Sequence, residues 1–206
     1  MKAFQNVARF SLKATKAAFR WFRATISTTV VKWVLWLNGV KFGKHLHAIG
    51  IPSVNMSLGG KAEIGDGFHI RTGVSNTEVG SVGCRIRVGP KGVLKIRNRV
   101  GMSNATIVCD DSVTIGDDVF IGGGVQIFDT NFHSTDAAIR TLEHEDKSQV
   151  RTAPISIGSR VFIGANAIVC KGVVIGDEAV IAAGAVVAHP VPAGETWAGN
   201  PARRVR

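Results

Sequence analysis

The sequence predicts an all-β chain, a parallel β-helix of short strands and turns, preceded by an α-helical segment. Three observations lead there. An aliphatic residue recurs every sixth position at Ile115, Ile121 and Ile127, and again at Ile157, Ile163, Val169, Ile175, Ile181 and Val187. Glycine often follows directly, as in Ile115-Gly116, Ile121-Gly122, Ile157-Gly158, Ile163-Gly164 and Ile175-Gly176. The first 39 residues show no sixfold pattern and hold cations opposite aromatic and aliphatic residues instead. A helix repeats every 3.6 residues and a strand every 2, so strict sixes mean one strand plus one turn per unit. Three units close a triangular coil of about 18 residues, and stacked coils bond as parallel strands roughly 4.8 Å apart.

An earlier register runs Val40, Leu46, Pro52, Leu58, Ile64, Ile70, Asn76, Val82, Val88, Leu94, Val100. The later one, offset by three, opens at Cys109 and leads through Ile127 to His133. The 206 residues are 45% hydrophobic, with 24 glycines and six prolines, which suits a chain that turns at set places and excludes collagen and disorder.

The net charge of +10 is unevenly placed. Residues 1–44 hold nine Lys or Arg and no acid, leaving 16 basic against 15 acidic residues in the remainder. The basic character belongs to a tail, which argues against a nucleic-acid surface on the main domain. At about 100° per residue, residues 2–26 sort Lys2, Arg9, Lys13, Lys16, Arg20 and Arg23 to one side. Ala3, Phe4, Val7, Ala14, Ala18, Trp21 and Phe22 fall on the other. That pattern predicts a helix against an anionic membrane surface through residues 2–38, or a cap over an open end of the main domain. The run from Ala24 to Val40 is short for a span and carries Lys32 near its middle, so a second interfacial or capping helix is expected. Residues 1–39 form this basic segment and residues 40–206 the β-helix.

Cys84, Cys109 and Cys170 are odd in number and lack metal spacing, which predicts buried thiols in a reducing compartment. No secretory signal pattern opens the chain. The expected location is the cytoplasm, with the N-terminal segment at the inner face of the plasma membrane.

Between His133 and Pro154 the rhythm stops, and residues 134–153 are largely polar and charged. An excursion of this kind inside a repeat array serves a binding site. By register position 133 would point inward, where an unpartnered imidazole is costly. The chain is therefore expected to leave the coil near Asp129, making Asp129 and Asn131 candidates to hold the ring, with turn residues as the alternative. An imidazole with an ordinary pKa near 6.5 can accept a hydroxyl proton at neutral pH.

These residues resemble the hexapeptide-repeat acyltransferases, over residues 40–206. Besides the sixes, the likeness includes Lys171-Gly-Val-Val-Ile-Gly, Ala182-Ala-Gly-Ala-Val-Val187, Val191-Pro-Ala-Gly and Ala198-Gly-Asn-Pro-Ala-Arg203. This C-terminal part is similar to the galactoside, maltose and capsule or lipopolysaccharide O-acetyltransferases. The resemblance implies a left-handed β-helix, a homotrimer with sites between subunits, and acetyl-CoA as acyl donor to a sugar or lipid-linked polysaccharide precursor. It implies His133 as general base in direct transfer, without a covalent intermediate. The Ala165 N–H falls on the oxyanion side, and Ala183 and Ala188 line the pantetheine groove. Phe162 replaces a frequent Trp beside the coenzyme, and His189 replaces a Lys. Arg203, Arg204 and Arg206 are placed to meet coenzyme phosphates, or form a solvated basic tail. Asn104 matches an acceptor-binding position. Alternatives are acyl transfer from acyl carrier protein, N-transfer to an amino sugar, and a non-catalytic β-helix scaffold. A zinc enzyme on this fold would need a His-x4-His pair that the chain lacks, so no metal is expected.

Overall fold

A computed structural model describes residues 2–73 and 83–206; within the N-terminal helix the described side chains are Lys13, Thr15 and those from Phe22 onward. Register positions Asn76 and Val82 lie outside the described residues. So do the side chains of Lys2, Arg9, Lys16 and Arg20 and of the apolar face opposite them up to Trp21.

The main body is a left-handed parallel β-helix with three faces. Face A stacks Lys41–Phe42, Lys61–Ile64, Val93–Ile96, Ser112–Ile115, Ile155–Ile157 and Val174–Ile175. Face B stacks His47–Ile49, His69–Arg71, Gly101–Ser103, Phe120–Ile121, Phe162–Ile163, Val180–Ile181 and Thr196–Ala198 in parallel, closed by antiparallel Arg203–Arg204. Face C stacks Ser53–Met56, Arg85–Val88, Thr106–Cys109, Gln126–Phe128, Ile168–Val169 and Val186–Val187.

Like stacks on like inside the coil. Ile64, Ile96, Ile115, Ile157 and Ile175 form one inner column on face A. Ile86, Ile107, Ile127, Val169 and Val187 form another on face C. Each unit also buries the residue two earlier, as in Val113 with Ile115 and Val119 with Ile121. Burying one such side chain contributes about 1.5–3 kcal/mol.

Two register expectations change. Leu58 lies fully exposed in the turn between Ser53–Met56 and Lys61–Ile64, because that corner is wider than a six-residue unit allows. The column partner of Ile127 is Ile107, and Cys109 lies two residues beyond it, so strict sixes begin only at Ile115. The early corners from face C to face A carry extra residues such as Gly89-Pro-Lys-Gly92, which shift the spacing without disturbing the stack.

The corner from face A to face B is built from repeated polar chemistry. The side chains of Asp66, Asn98, Asp117, Ser159 and Asp177 each accept from a backbone N–H of the preceding coil, at 2.7–3.1 Å. Next along the chain, Arg99, Asp118, Arg160 and Glu178 all adopt left-handed backbone (φ 55–62°). Arg99 pairs with Asp118 at 2.6 Å and Arg160 with Glu178 at 2.8 Å. The Ile-Gly signature has its cause at the same corner. A Cβ on Gly116 would stand 2.6 Å from the Gly158 carbonyl carbon, closer than coils can tolerate.

A single helix, α1 (Lys2–Leu37), replaces the two expected. Neither Pro nor Gly interrupts Ala24 to Leu37, and packing carries the β-branched run around Thr28 to Val31 through. Ala24, Val31 and Leu35 are buried; Val31 and Leu35 join the β-helix core. Thr28 Oγ1 accepts from Ala48 N at 2.9 Å, and Ser27 Oγ from Gly50 N at 3.1 Å. The helix ends in a Schellman motif: Gly39 (φ 71°) donates to Trp36 O, and Val40 to Leu35 O, both at 2.9 Å. Its C-terminal half thus covers the first coil. No helix among the described residues is long and apolar enough to cross a membrane.

Gly116→Ala is expected to destabilise the chain by about 1–3 kcal/mol. Gly101→Ala, whose Cβ would meet nothing closer than 3.5 Å, should cost far less. Urea unfolding midpoints of the two variants test the contrast.

Candidate active site

The excursion leaves the corner from face C to face A. Its base is pinned where Thr130 bridges Thr152 in antiparallel fashion, with Asn131 N donating to Arg151 O (3.1 Å) and Ala153 N to Asp129 O (2.9 Å). Phe132, with φ 64°, takes a left-handed backbone that a bulky side chain rarely adopts, and its ring rests 5.5 Å from that of Phe128. This turn sends His133 outward; its side chain is 67% exposed.

Two short helices follow, α2 (Ala137–Arg140) and α3 (Glu143–Ser148). Asp136 caps α2 by accepting from Ala138 N at 2.8 Å. Asp146, on α3, turns back toward the loop base and is 10% exposed at its side chain. One carboxylate oxygen accepts from Ser134 N at 2.6 Å, and the other lies 2.7 Å from His133 Nδ1. The bond from His133, then that from Ser134, hold the Asp146 carboxyl below its ordinary range. An ionised carboxylate only accepts, so Nδ1 donates to Asp146, and in the neutral form of the ring Nε2 is the acceptor.

The group on the ring is therefore Asp146, and neither Asp129 nor Asn131. Asp129 is fully buried and points the other way, accepting from Asp110 N (2.7 Å) and Asp111 N (2.8 Å). Burial pushes its carboxyl up, partly offset by those two bonds. It anchors the point where the coil gives way to the loop. Asn131 contributes backbone to the loop base. Sequence reasoning missed Asp146 because Glu143, Glu145 and Asp146 are equivalent acids until the loop's path is known.

The remaining candidates occupy other edges. Asn104, Gly123, Ala165 and Ala183 stack at the corner from face B to face C, linked by Gly124 N to Asn104 O, Asn166 N to Gly123 O and Gly184 N to Ala165 O. The Ala165 N–H donates to nothing among the described residues. Asn104 is buried, and its Oδ1 accepts from Gly73 N at 2.8 Å, so this oxygen ties coils together. Phe162 stands half exposed on the outside of face B. Ala188 and His189 are exposed at the same corner that releases the His133 loop. Arg203 donates to Ala202 O at 2.8 Å, Arg204 pairs with Glu195 at 3.2 Å, and Arg206 is exposed at the last turn. His133 and Ala165 thus lie at opposite edges of face C, and one chain does not bring them together.

Burial pushes the Cys84 thiol up to about 11 and that of Cys109 to about 12, so neither is a nucleophile. Among the described residues no cluster of three His, Cys, Asp or Glu can hold a metal ion.

Residues 103–128 and 154–188 match the hexapeptide repeat of succinyl-transferase, the two segments flanking the His133 loop. By these repeats the chain is similar to the hexapeptide-repeat acyltransferases. It is 36% identical over 128 residues to galactoside O-acetyltransferase of Escherichia coli K12, covering 61% of this chain and 56% of that protein. It is 30% identical over 129 residues to an E. coli K12 protein named as a lipopolysaccharide biosynthesis O-acetyl transferase, covering 61% and 66%. The chain therefore spans less than two thirds of either relative. Among solved structures, galactoside acetyltransferase in complex with coenzyme A superposes with a TM-score of 0.52 at 29% identity, over 80% of this chain and 64% of that one.

Asp129→Ala strips two backbone N–H groups of their acceptor and is expected to destabilise the coil by about 1–3 kcal/mol. The amide exchange of Ser134, held by Asp146, should change little in the same variant. Native-state hydrogen exchange reads both.

Proposed function

We propose that the chain is an acetyl-CoA-dependent O-acetyltransferase acting on a sugar or a lipid-linked polysaccharide precursor, with His133 as general base. The observation that carries this is the His133–Asp146 pair, a solvent-facing imidazole whose far nitrogen is held by a sheltered carboxylate. Nε2 removes the acceptor hydroxyl proton as the oxygen attacks the thioester carbonyl. Asp146 keeps the tautomer and supports the positive charge that the ring gains. A tetrahedral oxyanion forms, and the unpartnered Ala165 N–H is a ready donor to it. Collapse expels the thiolate, which takes the proton from the imidazolium.

Such a site needs His133 from one chain and Ala165 from another, since a single coil holds them at different corners. A homotrimer, in which the loop corner of each subunit meets the opposite corner of its neighbour, satisfies this. Exposed Ala183 and Ala188 leave room for a pantetheine arm, and Arg203 and Arg206 would meet the coenzyme phosphates. The similarity to galactoside and lipopolysaccharide O-acetyltransferases supports a sugar hydroxyl as acceptor.

The N-terminal helix adds a membrane contact to this reading. Its covered face is Val31 and Leu35, while Phe22, Ile26, Trp33, Trp36 and Leu37 are exposed beside Lys32. Exposed Trp next to cations suits the headgroup layer of an anionic bilayer.

His133→Ala should lower kcat by about 10²–10⁴-fold. Asp146→Asn should lower it by a similar order, because an amide can hold the wrong tautomer. Both variants should keep the oligomer, as read by light scattering; near-normal turnover in His133→Ala would remove the assignment. Trp33→Ser with Trp36→Ser should reduce flotation on vesicles containing phosphatidylglycerol while leaving the buried Val31 and Leu35 in place. Unchanged flotation would end the membrane reading.

A further inference from the structure

Face B carries a groove whose residues take no part in the proton transfers described above. Its outer column runs, coil by coil, through Phe162, Phe120, Gly101, His69 and His47. At roughly 4.8 Å per coil, His69 stands about 14 Å from Phe162. One end is aromatic, with Phe162 and Phe120 respectively 49% and 62% exposed. The middle is open because Gly101 has no side chain, and the Phe120 ring borders that gap.

The other end carries Arg71 and two imidazoles. The His69 and His47 rings are stacked at 5.4 Å, and Arg71 projects from the same strand and face as His69. Burial, then His69 and Arg71, push the His47 imidazole down, so this ring meets a ligand as a neutral hydrogen-bonding group beside the Arg71 cation. The carboxylate bordering the groove, Asp118, is taken up by Arg99 in a two-bond fork at 2.6 and 2.7 Å. Arg71 makes no ion pair among the described residues. A ligand filling this groove needs an apolar or sugar face at Phe162 and Phe120. It also needs several acceptor oxygens at the other end, where Arg71 supplies the charge.

We propose that the groove on face B binds a sugar diphosphate, the sugar against Phe120 and Phe162 and the diphosphate on Arg71, His69 and His47. This rests on the acyltransferase reading for its purpose, which is to present one sugar hydroxyl for transfer. One guanidinium flanked by two imidazoles offers more donors than a single carboxylate can use, and a diphosphate can use them. The Arg71 end adjoins α1, which packs on His47–Ile49; a sugar diphosphate tethered to a lipid is one source of such a ligand. A nucleotide-linked sugar presents the same diphosphate and is the second source.

Calorimetric titration of the full-length protein, saturated with coenzyme A, tests this with three probes. These are UDP-glucose, farnesyl diphosphoglucose in neutral micelles, and uncharged methyl glucoside. At least one diphosphate probe should bind about tenfold or more tightly than methyl glucoside. Arg71→Gln should remove most of that advantage while leaving coenzyme A affinity and the circular dichroism spectrum unchanged. Gly101→Leu should weaken all the sugar probes by filling the gap. Preference for the farnesyl probe assigns the lipid source, and preference for UDP-glucose the nucleotide source. Equal binding of charged and uncharged probes, an unaltered Arg71→Gln, or displacement of the diphosphate by coenzyme A would each overturn the proposal. Diphosphate binding without any affinity for coenzyme A would instead overturn the acyltransferase reading and leave the groove assignment standing.

Discussion

Everything in this molecule depends on one coil resting on the next. A single turn of the coil cannot cover its own aliphatic residues, and its backbone groups have no partners within the turn. Stacking supplies both, since Ile115 closes on Ile96 and Ile157, and each strand donates to the one beside it. The requirement acts column by column, so a position is constrained by what lies one coil above and below. It makes Gly116 obligatory, where the Gly158 backbone passes 2.6 Å from a Cβ, and leaves Gly101, out on face B, free to serve as a gap.

That constraint also explains where chemistry can occur. A buried coil position is costly for an unpartnered imidazole, and His133 leaves the stack. The departure is engineered by groups that remain within it. Asp129 satisfies two backbone N–H groups at the last regular corner, the Thr130–Thr152 bridge closes the base, and Phe132 in left-handed backbone turns the chain outward. Asp146 then returns from α3 to fix the ring. The triangular cross-section separates His133 from Ala165 by a whole face.

Much of the fold was legible in the sequence because its code is periodic. The Ile-Gly sixes from Ile115 onward identified strand, turn and core position together. Before Val100 the same logic misplaced Leu58, and at Cys109 it slipped by two residues. Wider corners there change the spacing while leaving the three-dimensional column intact. The break between one and two N-terminal helices was also misplaced, since the weak helix formers between Thr25 and Val31 are held by contacts with Ala48 and Gly50.

The sequence alone determined the repeating coil, the basic helix ahead of it, and His133 as the residue at the point of departure. Each is written in local spacing or in composition, which survive without knowledge of the path. Only the tertiary structure decided that Asp146 holds the ring, that Asp129 faces inward, that α1 covers the first coil, and that His47, His69 and Arg71 share one face. Those relations join residues up to 24 positions apart, and only the folded path of the chain fixes which of several equivalent acids or cations meet.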